Sequence, residues 1–275
     1  MKRALDHDTE QALVAPDARV RRAAMETLDY MDKAALAPHA GTIVGLLADA
    51  DDDVRRVAVS TLSRLNAKTL SLHAEAIVSV LKDPNATVRQ EAVAALRNLT
   101  KTVLAQYASA IVNMLADDNA RVRREAVETL GELHPEALAL HAGAIVGVLE
   151  DPTVTVRKEA VQTLCYVDKP VLAQHARAIV GVLTDDNDDL RCMAASLLGH
   201  LDEAELKLHA GAIVGLLADG NERVRCSAVE TLGMLDKAAL TMHAGAIKNV
   251  LEHSDEVVRN FATVALRKLD PVAHH

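Results

Sequence analysis

The 275-residue chain is half apolar, yet it contains only three tyrosines, one phenylalanine and no tryptophan. A core built from it must be aliphatic and finely divided, and its richness in Ala, Leu, Val and Glu predicts an all-α fold with closely packed helices. A formal charge of -9 argues against a nucleic-acid backbone or an anionic membrane surface as the main partner.

Taken along the chain, residues 5 to 14 read as a degraded helix whose Leu13 stands where later segments carry Leu47 and Leu81. From Val20 the apolar residues Ala24, Leu28 and Met31 follow in steps of four, four and three, which is one face of a helix. A second face runs through Leu36, His39 or Ala40, Ile43 and Leu47. Pro38 lies inside that stretch, so the spacing predicts a one-turn segment followed by a main helix from about residue 38 to 48. Pro135 and Pro170 mark the first turn of the equivalent later helices, where a missing amide costs little.

The pattern then recurs every 34 residues with no insertion or deletion. Arg21, Arg55, Arg89, Arg123, Arg157, Arg191, Arg225 and Arg259 keep that step, as do the columns that begin at Ala24 and Leu28. Asp17, Asp51, Asn85, Asn119, Thr153, Asn187, Asn221 and Asp255 lie three residues before the Val or Leu that opens each first face. All are types that cap the exposed amides of a first helical turn. Two helices with one apolar face each cannot bury those faces alone, so successive hairpins must stack. The expected organisation is one continuous repeat domain over 1–275, with units starting near 17, 51, 85, 119, 153, 187, 221 and 255. It amounts to about seven full units with a half unit at each end and no internal boundary. Periodicity this exact in length points to recent duplication or to design, and drift such as Tyr107 in the His column favours duplication.

These residues resemble HEAT repeats. Asp49 in the turn precedes Val54 and Arg55 with the family's spacing, and Asp83, Asp117, Asp151, Asp185 and Asp219 repeat it. The family's proline in the first helix is absent. The resemblance implies an α-solenoid of antiparallel hairpins whose second helices line a concave surface that grips protein partners. It specifies architecture strongly and function weakly. A bilin lyase-like protein, acting on a chromophore or its acceptor protein, is the enzymatic alternative the resemblance suggests. A nucleic-acid binder of the HEAT glycosylase kind would need a basic, aromatic-bearing face that is absent here.

The column His39, His73, His141, His175, His209 and His243, interrupted by Tyr107, invites a metal site. Equivalent residues of adjacent units stand about 10 Å apart, too far to share an ion with bonds of about 2 Å. A half-buried imidazole that hydrogen-bonds a backbone group of the neighbouring hairpin is expected instead. The Asp and Arg columns are expected to form a structural ladder that satisfies turn amides and ties unit to unit. Cys165, Cys192 and Cys226 lack CxxC spacing and fit reducing surroundings. No nucleotide-binding glycine loop, nucleophile elbow or His-Glu dipeptide occurs, and the last absence argues against HEAT-repeat di-iron hydroxylases. No apolar run reaches the roughly 18 residues of a membrane span, and Met1 to Glu10 is too polar for a signal peptide. A cytoplasmic, non-enzymatic scaffold without metal or cofactor is expected.

The predicted concave positions are mostly small, with Gly41, Thr42, Gly45, Gly143, Gly147, Gly181, Gly211 and Gly215. Glu75, Lys82, Asn113, Arg177 and Asn249 break this blandness and are the candidate partner-binding residues. An ordinary solvated face fits the same residues as well as a binding groove does. At the far end, a first helix over about 255 to 269 carries Val257, Phe261 and Val264 at positions that are polar or small in most other units. An apolar patch for end-to-end association, or for further repeats, is expected there, and His274 and His275 read as the stub of a purification tag.

Overall fold

In the computed structural model, which describes residues 7–28 and 30–269, capping side chains close the first turns of the first helices. The Asp51 carboxylate accepts the Val54 amide at 3.0 Å, and Asn85, Asn119, Asn187 and Asn221 accept amides two or three residues on at 2.8 to 3.1 Å. Asp17 and Asp255 do the same with the amides of Arg19 and Val257. Thr153 holds the N-cap backbone conformation without a side-chain cap bond. Among the described residues all regular structure is helical. His274 and His275 lie outside them, as do the first residues of the stretch read as a degraded helix.

Contacts group the chain into two compact units, 1–137 and 138–275. In the first, helices Ala18–Leu28, Asp52–Ser63, Ala86–Arg97 and Ala120–Gly131 pack in succession. Segments Ala40–Gly45, Ala74–Ser79 and Lys101–Asn113 each lie against the first helix of the following hairpin. The short helix His7–Ala12 packs on Ala18–Leu28, and Leu13 is fully buried, as its alignment with Leu47 predicts. The second unit repeats the scheme. Helices Val154–Leu164, Asp188–Leu198, Glu222–Gly233 and Glu256–Leu269 pack in succession, with Ala142–Gly147, Ala176–Val182, Glu203–Gly215 and Ala244–Asn249 as the second elements.

The repeated Leu column supplies the core. Leu28, Leu62, Leu96, Leu130, Leu164, Leu198 and Leu232 are wholly inaccessible, and burial of each is worth about 1.5–3 kcal/mol relative to exposure. Leu266 in the last first helix is only half-buried. The Ala column keeps successive first helices close, and buried threonines bridge them. The Thr231 hydroxyl donates to the Ala195 carbonyl at 3.0 Å, which satisfies a group that would otherwise be costly to bury.

The second helices follow the predicted one-turn segment and main helix in five units and depart from it in two. The first of them runs as Lys33–Leu36, a 3-10 turn Ala37–His39, Ala40–Gly45 and a second 3-10 turn Leu46–Ala48. The helix is interrupted at His39, His73, His141, His175 and His243, but runs unbroken through Tyr107 and His209. Proline does not cause the break, since Leu72-His73 and Leu140-His141 break without one. At His73 and His141 the histidine amide returns to a carbonyl three residues back, which tightens the turn.

Candidate functional site

The Arg and Asp columns meet as predicted. Arg21 donates from Nε and Nη2 to both carboxylate oxygens of Asp49 at 2.6 Å, while its Nη1 reaches the carbonyls of Ala15 and Pro16. Asp49 in turn accepts the Asp51 amide. The same fork joins Arg55 to Asp83 and Arg89 to Asp117 in the first unit. In the second it joins Arg157 to Asp185 and Arg191 to Asp219. Each guanidinium thus neutralises the carbonyls of its own turn and clamps the next one. The guanidinium hydrogen bonds are the largest influence at Asp49, Asp219 and Asp255 and hold those carboxyls below the ordinary range. At Asp83, Asp117 and Asp185 burial is the largest influence and pushes upward, but the guanidinium and turn-amide bonds together outweigh it. The ladder is consumed by its own internal pairing, which makes it architecture.

The six histidines of the repeated column and Tyr107 are half-buried, as expected. The predicted ring hydrogen bonds are not formed among the described residues. At two positions the imidazole instead presents a carbon edge to the preceding second helix. A methyl on Gly143 would lie 3.7 Å from His175 Cε1, and one on Gly211 would lie 3.5 Å from His243 Cε1. Packing contact replaces polar pairing there. Among the described residues no three His, Cys, Asp or Glu side chains converge on a point that could hold a metal ion, and no helix is long and apolar enough to cross a membrane.

The predicted partner-binding residues are all exposed. Glu75 lies on Ala74–Ser79, Lys82 in the 3-10 turn after it and Asn113 at the end of Lys101–Asn113. Arg177 lies on Ala176–Val182 and Asn249 ends Ala244–Asn249. None of the five forms an ion pair or side-chain hydrogen bond among the described residues, so their polar groups are unengaged within the fold. The second elements also carry a repeated apolar position that was not anticipated from the sequence. Leu72 in the first unit is 79% exposed, and Leu140, Leu208 and Met242 in the second are 82%, 73% and 80% exposed. The available signal was phase: Leu72 sits two residues after buried Leu70 and two before buried Ala74, so a helix that buries those must point Leu72 outward.

Three comparisons bear on what this chain is. A family model for HEAT repeats matches residues 74–142. No curated protein matches the chain. Among solved structures, an engineered protein aligns over 95% of this chain and 77% of its own at 18% identity, with a TM-score of 0.63. Escherichia coli YibA aligns over 98% and 93% at 18% identity and a TM-score of 0.60. Importin beta aligns over 96% of this chain and 40% of its own at 14% identity and a TM-score of 0.67. The chain has the fold of a HEAT-repeat helical solenoid.

Two of the clefts among the described residues bear on function. One of about 430 Å³ lies in the turns around Arg157 and Asp185, whose charges already pair with each other. The other, of about 360 Å³, is apolar and lies beside the last helix, Glu256–Leu269. Val257 and Val264 in it are 41% and 52% exposed, while Phe261 is half-buried. Val229, Gly233, Leu240 and Ala265 complete its apolar lining.

Proposed function

We propose that this chain is a non-catalytic scaffold that docks a protein or peptide on the exposed face of its second helices. The observation that carries the reading is the repeated position of Leu72, Leu140, Leu208 and Met242, each more than 70% exposed, accompanied by glycines with no structural need to be glycine. Gly45, Gly147, Gly181 and Gly215 have helical rather than left-handed backbone, and a methyl at each would meet nothing within 4 Å. A helix pays about 0.5–1 kcal/mol for such a glycine, a cost that a partner approaching the backbone closely would explain. Large apolar side chains left in water next to a smooth track match a partner helix or extended segment anchored by its own apolar residues. Glu75, Lys82 and Asn113 on one unit, and Arg177 and Asn249 on the other, supply the polar rim that selects among partners.

The test compares two variants with the parent chain. Leu140, Leu208 and Met242 are replaced together by Ser in one; exposed first-helix residues Arg19 and Arg121 are replaced by Ser in the other. Partners captured by the parent are identified and their affinities measured. Binding weakened at least tenfold by the first variant and unchanged by the second is expected. Equal binding by both would remove the second-helix face as the docking surface.

A further inference from the structure

The apolar cleft on the last helix and the opposite end of the chain are complementary in register. Side chains on facing first helices repeatedly meet at an offset of 31 residues. Arg22 pairs with Asp53 at 3.0 Å, Lys158 with Asp189 at 2.7 Å, and the Ser196 and Ser227 hydroxyls share a hydrogen bond at 3.0 Å. The Arg ladder follows a second rule. Its usual carboxylate lies 28 residues on, as Asp49 does from Arg21. Where the turn residue is His253 and not Asp, Arg225 pairs with the N-cap Asp255 instead, its Nε donating at 2.9 Å.

Both rules leave matching loose ends. Arg259 uses Nη1 on the carbonyls of His253 and Ser254 and has no carboxylate partner among the described residues. At the other end the turn residue is Ala15, and Asp17 is an exposed N-cap whose carboxylate accepts the Arg19 amide. This is the arrangement Arg225 finds at His253 and Asp255. The N-cap one period after Asp255 would stand 30 residues beyond Arg259, the same separation as Arg225 to Asp255. Val20 agrees with this. It is 42% exposed, whereas its equivalents Val54, Val88, Val122, Val156, Leu190, Val224 and Val258 are all wholly buried. If Asp17 filled the vacant N-cap position, the offset of 31 seen between first helices would set Phe261 against Val20 and Val264 against Ala23, apolar on both sides.

We infer that a second copy of this chain docks head to tail on the last helix, its Asp17 receiving Arg259 and its Val20 covering Phe261. The interface joins two different surfaces, so each added copy presents a fresh end and association does not saturate by pairing like with like. It is separate from the second-helix face and does not rest on the proposed docking there.

Sedimentation velocity across a concentration series reads the proposal directly. The 275-residue chain is expected to gain mass with concentration, and Asp17→Arg or Arg259→Asp alone to weaken association at least tenfold. Combining both changes in one chain restores it. An equimolar mixture of the two single variants regains association that grows with concentration, because the unchanged ends pair with each other and the two exchanged charges pair as well, so the variants alternate along the assembly. Circular dichroism checks that each variant keeps its helix content; if Arg259→Asp does not, Arg259→Gln is read in its place. A parent chain that stays monomeric to about 1 mM, the weak end of specific association, overturns the proposal. So does association that survives Asp17→Arg but is lost in Phe261→Glu, which would mean that two last helices meet each other.

Discussion

Two leucines in the same unit carry opposite expectations: Leu130 lies within the helix Ala120–Gly131, and Leu72 in the turn between Ala67–Ser71 and Ala74–Ser79. Leu130 is wholly inaccessible and Leu72 is 79% exposed. Truncation of Leu130 to alanine removes about three carbons, worth roughly 2.4 kcal/mol at about 0.8 kcal/mol per buried methylene. The cavity left between tightly stacked first helices adds to this, for a total cost of about 2–5 kcal/mol. At Leu72 only about a fifth of the same transfer term applies, roughly 0.5 kcal/mol. Urea unfolding followed by far-UV circular dichroism measures both as midpoint shifts, provided the denaturant slope is unchanged. A Leu130→Ala cost below about 1 kcal/mol, under the range for a buried leucine, would refute the assignment of the Leu column to the core. A Leu72→Ala cost above about 2 kcal/mol, the lower bound for a buried leucine, would refute the outward orientation of the repeated apolar position. The basis of the docking face would go with it.

The ladder carboxylates Asp49, Asp83, Asp117, Asp185, Asp219 and Asp255 are held below their ordinary value of 3.8 in the folded chain. Their contribution is therefore full above about pH 4 and lost as pH falls through the depressed folded values, so thermal midpoints measured from pH 7 downward should hold to about pH 4 and then drop. Arg55→Ala, which strands a largely buried Asp83, should cost about 3–5 kcal/mol at pH 7, and a cost near zero would count against the ladder. Glu125 has the opposite sign: burial is the main influence and raises its pKa despite the nearby Arg97, so Glu125→Gln should raise the midpoint at about pH 7 and lose that advantage toward about pH 4. Gly147→Ala should stabilise by about 0.5–1 kcal/mol, and a loss would mean that the open space around it is filled in solution.

The core was legible because its signal is redundant. Leu28, Leu62, Leu96, Leu130, Leu164, Leu198 and Leu232 serve the same packing role in successive hairpins, so seven noisy readings collapse onto one position. The caps and the ladder were legible for the same reason, since one carboxylate per turn and one guanidinium per first helix have a single simple pairing. The breaks in the second helices were legible from Pro38, but which units would lack one was not. His73 interrupts the helix while His209 does not, and the two segments share their buried Leu and Ile pattern, so periodicity alone does not separate them. The imidazole hydrogen bonds were expected because a half-buried polar ring usually finds a partner. The small residues at Gly143 and Gly211 instead let the ring edge close onto the preceding helix, a choice that residue type at the His position does not reveal.

For a repeat chain, the period describes what every hairpin must do to stack, so information about partners has to reside in departures from it. Departures in charge and size along the small-residue track brought Glu75, Arg177 and Asn249 forward. The exposed apolar position is a departure of another kind, with large side chains where the phase demands that they point outward. Leu140 and Leu208 flank a unit that carries Gln174 at the same position, and Leu72 is followed one period later by Gln106. Polar and apolar residues thus share one exposed position, with Leu208 followed one period later by Met242, and a side chain that points away from the core serves no stacking role. Replacing Gln174 with Leu tests whether the proposed docking face reads every unit or only some of them. A partner anchored at Leu140 and Leu208 alone should gain little from a Leu at 174, while one that packs uniformly along the face should bind several-fold tighter.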